Sequence, residues 1–162
     1  MGTVQYNFSN ETLLVTGASS GIGKLVCENF AASGGNVVCI GRTRERLEEV
    51  VAEINVSSNG SAVAVVGDVS QSSTFKEAVD TAVSTFGELN YAFNCAGTEG
   101  PLTPISETSD DSFMDMINTK LTGCFLGLKA QIPVMREKGG AIVNMVGSFG
   151  HIGYPYMGAY CA

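Results

Sequence analysis

Apolar residues along this chain gather into short unbroken runs, and between the runs they fall at helical spacing. The runs Thr12–Thr16 (TLLVT), Val37–Ile40 (VVCI), Ala62–Val66 (AVAVV), Leu89–Asn94 and Ala141–Val146 (AIVNMV) are strand-length and almost wholly apolar. That is the pattern of strands buried on both faces. Between them, Gly21–Ala32 places Ile22, Leu25, Val26 and Phe30 on one side. Arg44–Asn55 does the same with Leu47, Val50, Val51 and Ile54. Ser72–Phe86 reads as a third helix. Ser109–Lys138 reads as a long fourth one, with a bend expected where Gly123 and Gly127 fall. Strands alternating with helices predict the α/β class: a Rossmann-like, doubly wound parallel sheet of about five strands, covered on both faces. Ligands are then expected at the carboxyl ends of the strands. No linker interrupts 1–162, so one domain is expected. The loop Thr98–Ser106 is long enough to be functional. After the last strand no covering helix follows, which would leave apolar surface bare. A fragment of a longer protein or a homo-oligomer would account for that.

Charge narrows the partners. The 162 residues carry a net charge of −7, with 44% apolar and 15% charged residues. Such a chain folds as a globule and lacks the basic stripe a nucleic-acid binder needs. No apolar run is long enough to span a bilayer, and the polar start Met1–Asn10 has no leader-like core, so no membrane partner and a cytoplasmic location are expected. Cys27, Cys39, Cys95, Cys124 and Cys161 are scattered singly. They have no metal-ligand spacing, so no metal is expected.

The segment Thr16-Gly17-Ala18-Ser19-Ser20-Gly21-Ile22-Gly23 joins the first strand to the first helix. Gly17 permits a tight turn, Gly21 a close backbone approach to a pyrophosphate, and Gly23 close packing. The helix start then offers oriented N–H groups to the anion. This spacing resembles the short-chain dehydrogenase/reductase family rather than other dinucleotide binders. Asp68-Val69 after the third strand, Asn94-Cys95-Ala96-Gly97 after the fourth, and Met157-Gly158-Ala159-Tyr160-Cys161-Ala162 match further segments of that family. The resemblance implies cofactor contacts from Gly17, Ser19, Ser20, Gly21, Ile22, Gly23, Asp68, Val69, Asn94, Ala96 and Gly97. It also implies that the C-terminal part of the family fold lies outside this sequence. An acidic residue after the second strand would favour NAD. Here Gly41-Arg42 stands there, and a guanidinium suits a 2′-phosphate. NADP is therefore expected ahead of NAD, although Arg42, Arg44 and Arg46 also read as ordinary solvated charge.

The family's chemistry uses a tyrosine, a lysine four residues later, a serine and an asparagine. Tyr160 matches the tyrosine, and the lysine's position falls beyond Ala162. Gly147 stands where the serine belongs, and Ser148 serves only if the loop is shifted. Lys120 stands where the asparagine belongs. Asn118 lies two residues early, about 200° around a regular helix. An unassisted phenol is a poor base at neutral pH, so hydride transfer is expected to be impaired unless the Lys120 ammonium assists Tyr160. Tyr160, Ser148 and Lys120 are the candidate catalytic residues. His151, and an apolar wall of Tyr154, Tyr156 and Met157, are further candidates on the substrate side. The first functional reading is a repurposed frame that converts a small organic molecule without redox, by cyclisation or isomerisation. An NADP-dependent oxidoreductase acting on a carbonyl or hydroxyl, of which this chain is a fragment, is the second. A non-catalytic binding module is the third. Fold resemblance alone does not separate them.

Overall fold

The computed structural model describes residues 5–162. Five parallel strands form one sheet: β1 (Thr12–Thr16), β2 (Asn36–Gly41), β3 (Ala62–Val66), β4 (Tyr91–Asn94) and β5 (Ala141–Asn144). Their order is β3-β2-β1-β4-β5. The chain winds outward from β1 to β3, then returns to β4 on the other side of β1. This reversal opens a crevice between the carboxyl ends of β1 and β4, where such sheets take ligands.

Strand alternation sends neighbouring side chains to opposite faces, and each face has its own core. Leu13, Val15, Val37, Cys39 and Phe93 pack with Cys27, Phe30, Leu47, Val50 and Ile54. Those residues come from helices α1 (Gly21–Ala32) and α2 (Arg44–Ser57). Leu14, Val38, Ile40 and Val65 pack on the other face with Phe75, Ala78, Val79, Ala82 and Met135, from α3 (Ser72–Phe86) and α5 (Gly123–Met135). The doubly wound arrangement thus follows from the all-apolar strands.

Two expectations need correction. Leu89 and Asn90 lie outside β4. Leu89 is a buried plug of the second core, and the Asn90 side chain accepts the Thr12 N–H at 2.7 Å. The long helical stretch is not one regular helix. α4 (Asp110–Met116) leads through a wide π-type segment, Ile117–Thr122, into α5. Ser109 caps its start by accepting the Ser112 N–H at 3.2 Å. Gly123 and Gly127 are not bend points but places of close approach. A Cβ at Gly127 would lie 3.0 Å from Asn94 Oδ1, and one at Gly123 would lie 3.0 Å from Val69 Cγ2. The irregularity falls just before them, at a helical feature often found beside functional sites.

The β5 side differs from the rest. β1 is buried throughout, whereas Val143 in β5 is 57% exposed and Val146 beyond it 75% exposed. Among the described residues no helix is long and apolar enough to cross a membrane.

Candidate functional site

A cavity of about 620 Å³ lies over the crevice at the carboxyl ends of the strands. The β1–α1 turn forms its floor. Gly17 takes φ +71°, a left-handed conformation that an L side chain resists, and a Cβ there would also press on Ala96. A Cβ on Gly23 would collide with the Gly17 carbonyl. The turn is therefore a cradle that side chains would fill. Ser20 precedes α1 without capping it, and no acidic residue stands in the first turn. The N–H groups at the helix start are thus left for an anion.

Thr16, which the sequence did not single out, ties the turn to the opposite lip. Its hydroxyl oxygen accepts the N–H groups of Cys95 at 2.9 Å and Ala96 at 3.0 Å. Gly17, Ser19, Ser20, Gly21, Ile22, Gly23, Arg42, Asp68, Val69, Ala96 and Gly97 all line the cavity. Asn94 lies deeper, on the wall of an adjoining cavity of about 480 Å³. Its amide nitrogen donates to Gln131 Oε1 at 3.1 Å and to Asn144 Oδ1 at 2.9 Å, and Gln131 returns a bond to Asn94 Oδ1 at 2.9 Å. This amide network joins β4, α5 and β5. Gln131 is wholly buried, and the only trace of it in the sequence is one amide within the apolar run LGLKAQIPVM.

At the β2–β3 end, Asp68 Oδ1 accepts the Ser70 N–H at 2.8 Å. That bond, aided by the nearby Arg42 guanidinium, holds the carboxyl below the usual carboxylate range. Arg42 lies 4.0 Å from Asp68 Oδ2. Arg46 also reaches the cavity wall, whereas Arg44 points away and pairs with Glu48 at 3.1 Å. Arg42 precedes α2 and Arg46 lies in its first turn, and nothing in the run Arg42–Arg46 set these two apart from Arg44.

At the other end, Tyr160 on the short helix α6 (Gly158–Cys161) lines both cavities. The Lys120 ammonium lies 4.0 Å from the centre of its ring, over the face rather than at the hydroxyl. A Cβ on Gly147 would come within 2.7 Å of the Tyr160 hydroxyl, so Gly147 stands beside the phenol. Ser148 is exposed, starts the turn Ser148–Gly150, and lines neither cavity. Asn118 lines neither cavity as well. His151 is exposed in the loop beyond. Tyr154 leans on Phe149, with ring centres 4.9 Å apart and planes at 44°, and Tyr154, Tyr156 and Met157 are all absent from the cavity walls.

These features coincide with a known pattern. Residues 11–162 match the family model described as short chain dehydrogenase. The chain belongs to the short-chain dehydrogenase/reductase family. It is 34% identical over 161 residues to the 3beta-hydroxysteroid dehydrogenase of Mediterraneibacter gnavus, covering 99% of this chain and 58% of that protein. It is 36% identical over 156 residues to the cyclohexanol dehydrogenase of Acinetobacter sp. (strain SE19), covering 96% of this chain and 62% of that protein. The crystal structure of an NAD+-bound xylitol dehydrogenase superposes with a TM-score of 0.89 at 32% identity, over 94% of this chain and 59% of that one. The chain thus spans about 60% of the length of these relatives. Short-chain dehydrogenases/reductases use nicotinamide cofactors, and the glycine cradle of this member has the shape such a cofactor requires.

Proposed function

We propose that this chain supplies the cofactor-binding and proton-transfer parts of an NADP-dependent oxidoreductase that interconverts a secondary ring alcohol and its ketone. One observation carries the reading: Tyr160 lines the same cavity as the glycine cradle and Asp68. The names of two relatives, 3beta-hydroxysteroid and cyclohexanol dehydrogenase, point to a ring hydroxyl as the substrate group. The bound nicotinamide supplies the hydride acceptor or donor. The residues of the chain do the remainder. The turn at Gly17, Ser19, Ser20, Gly21, Ile22 and Gly23 holds the diphosphate through backbone N–H groups. Asp68 and Val69 border the adenine, and Ala96 and Gly97 form the opposite lip, which Asn94 supports from behind through its amide network. Arg42 and Arg46 face the 2′-phosphate, which favours NADP over NAD. Tyr160 takes the alcohol proton on oxidation and returns it on reduction. The five free thiols suit a reducing cytoplasm, and the exposed apolar surface at β5 suits either a homo-oligomer or the further length that the relatives have.

The test is NADP+ reduction by the purified chain with cyclohexanol, followed by NADPH absorbance. Tyr160→Phe is expected to lower kcat by about 10²- to 10⁴-fold with NADPH affinity unchanged; an unaffected rate overturns the role. Arg42→Ala is expected to reduce the preference for NADPH over NADH by about tenfold. An unaltered preference would return Arg42 to the solvated surface. A second reading rests on Gly147 and Lys120 standing where the family has serine and asparagine: a non-redox conversion of a small ring compound. Substrate turnover without cofactor consumption would establish it in place of the first.

A further inference from the structure

Among the described residues, Lys120 is the basic residue that lines both cavities beside Tyr160. Lys120 is half-buried as a residue, and its ammonium lies 4.0 Å from the centre of the Tyr160 ring and beside Gly97, where a Cβ would lie 3.4 Å from Nζ. It borders both cavities. Among the described residues it forms no ion pair and no hydrogen bond; Lys24, Lys76 and Lys138 each meet a carboxylate at 2.7 Å or less, and Lys129, the other lysine without one, is exposed on α5. The ring face attracts the cation but accepts none of its three N–H donors in a directed bond. An ammonium that borders a cavity without a counter-ion is a place where an anion gains a charge-assisted hydrogen bond.

Position selects the anion. Arg42 and Arg46 follow β2, while Lys120 adjoins Gly97 beyond β4, with β1 between them in the sheet order. The cofactor's 2′-phosphate therefore has its own cations elsewhere. Next to the Tyr160 hydroxyl, Gly147 offers no side chain, so no hydroxyl there anchors the substrate oxygen. Among the described residues the charged donor at this end is Lys120. Glu99 also borders the larger cavity and would repel a misplaced anion.

We propose that Lys120 makes the site select substrates that carry a carboxylate as well as the reacting ring hydroxyl. The carboxylate sits on the ammonium, and the hydroxyl is thereby held at Tyr160. This rests on the reading of Tyr160 as the reacting end, and the test separates the two. Calorimetric titration of the NADPH-loaded chain compares cyclohexanecarboxylate with cyclohexanecarboxamide. The carboxylate is expected to bind about tenfold more tightly or better, as a hydrogen bond to a charged group allows. Lys120→Met should abolish that preference and Lys120→Arg should retain it. Equal binding of both ring compounds, or no binding of the carboxylate, overturns the proposal. So does a preference that survives in Lys120→Met. Loss of NADPH affinity in Lys120→Met by the same factor, with no ring compound present, also overturns it, since Lys120 then serves the cofactor. Rates with 4-hydroxycyclohexanecarboxylate and its methyl ester complete the test. If neither is oxidised while the carboxylate preference stands, the redox reading fails and the anion anchor holds. If the acid is preferred and Lys120→Met equalises the two, both stand.

Discussion

The two sides of the crevice are built on different principles. From β1 to α3 the floor of the site is made of backbone: a turn whose glycines exclude side chains, and a helix start with uncapped N–H groups, with Arg42, Arg46 and Asp68 adding side chains only at its outer end. From β4 onward it is made of side chains on less regular supports. The helical stretch widens before α5, the edge strand is largely exposed, and Tyr160 sits on a four-residue helix. Backbone recognises what every nicotinamide cofactor shares, a diphosphate. Side chains recognise what differs between substrates. A family that keeps its cofactor and changes its substrates has reason to keep the first side rigid and vary the second.

The contrast can be broken from either side. Gly23→Val would drive a side chain into the Gly17 carbonyl. The expected result is loss of NADPH binding and a stability cost of about 3 kcal/mol, read by cofactor titration and thermal unfolding. Unchanged binding would mean that the turn is not a backbone cradle. Gln131→Leu probes the other side. It strips both partners from one edge of the Asn94 amide and is expected to cost about 1–3 kcal/mol. Denaturant midpoints measure it, and a loss confined to the region after β4 in hydrogen exchange would sharpen the division. The smallest effect belongs to Asp68. Its carboxyl lies low in the folded chain because of the Ser70 N–H and, secondarily, Arg42. Its stabilisation is therefore full above the unfolded value of about 4 and fades as pH falls through the lower folded value. Asp68→Asn should flatten the acid limb of a stability–pH curve in that window. A wild-type slope retained in the variant would assign the effect to other groups.

The sequence revealed the backbone-built side more fully than the side-chain-built one. Apolar runs of strand length specify buried strands by burial alone, and glycines at positions 17, 21 and 23 mark a turn that needs no distant partner to be understood. Tyr160 was legible as the match to the family's tyrosine and Lys120 as a departure at the asparagine position, but not the geometry between them: the ammonium lies over the ring face. Gln131 was invisible because its partner Asn94 lies on another element and only folding brings the two amides together. Arg46 and Arg44 look alike in sequence. Helix phase alone sends one to the cavity and the other to Glu48. Gly123 and Gly127 were legible as glycines, yet they serve packing rather than bending, which only the positions of Val69 and Asn94 explain.

The Thr16 hydroxyl has a mechanical consequence. By holding the amides of Cys95 and Ala96 to the end of β1, it rivets the lip of the crevice at its root. One side chain thus does at the root of the crevice what a further rung of the sheet would do: it ties the end of β1 to the chain beyond β4, where the ladder between the two strands has run out.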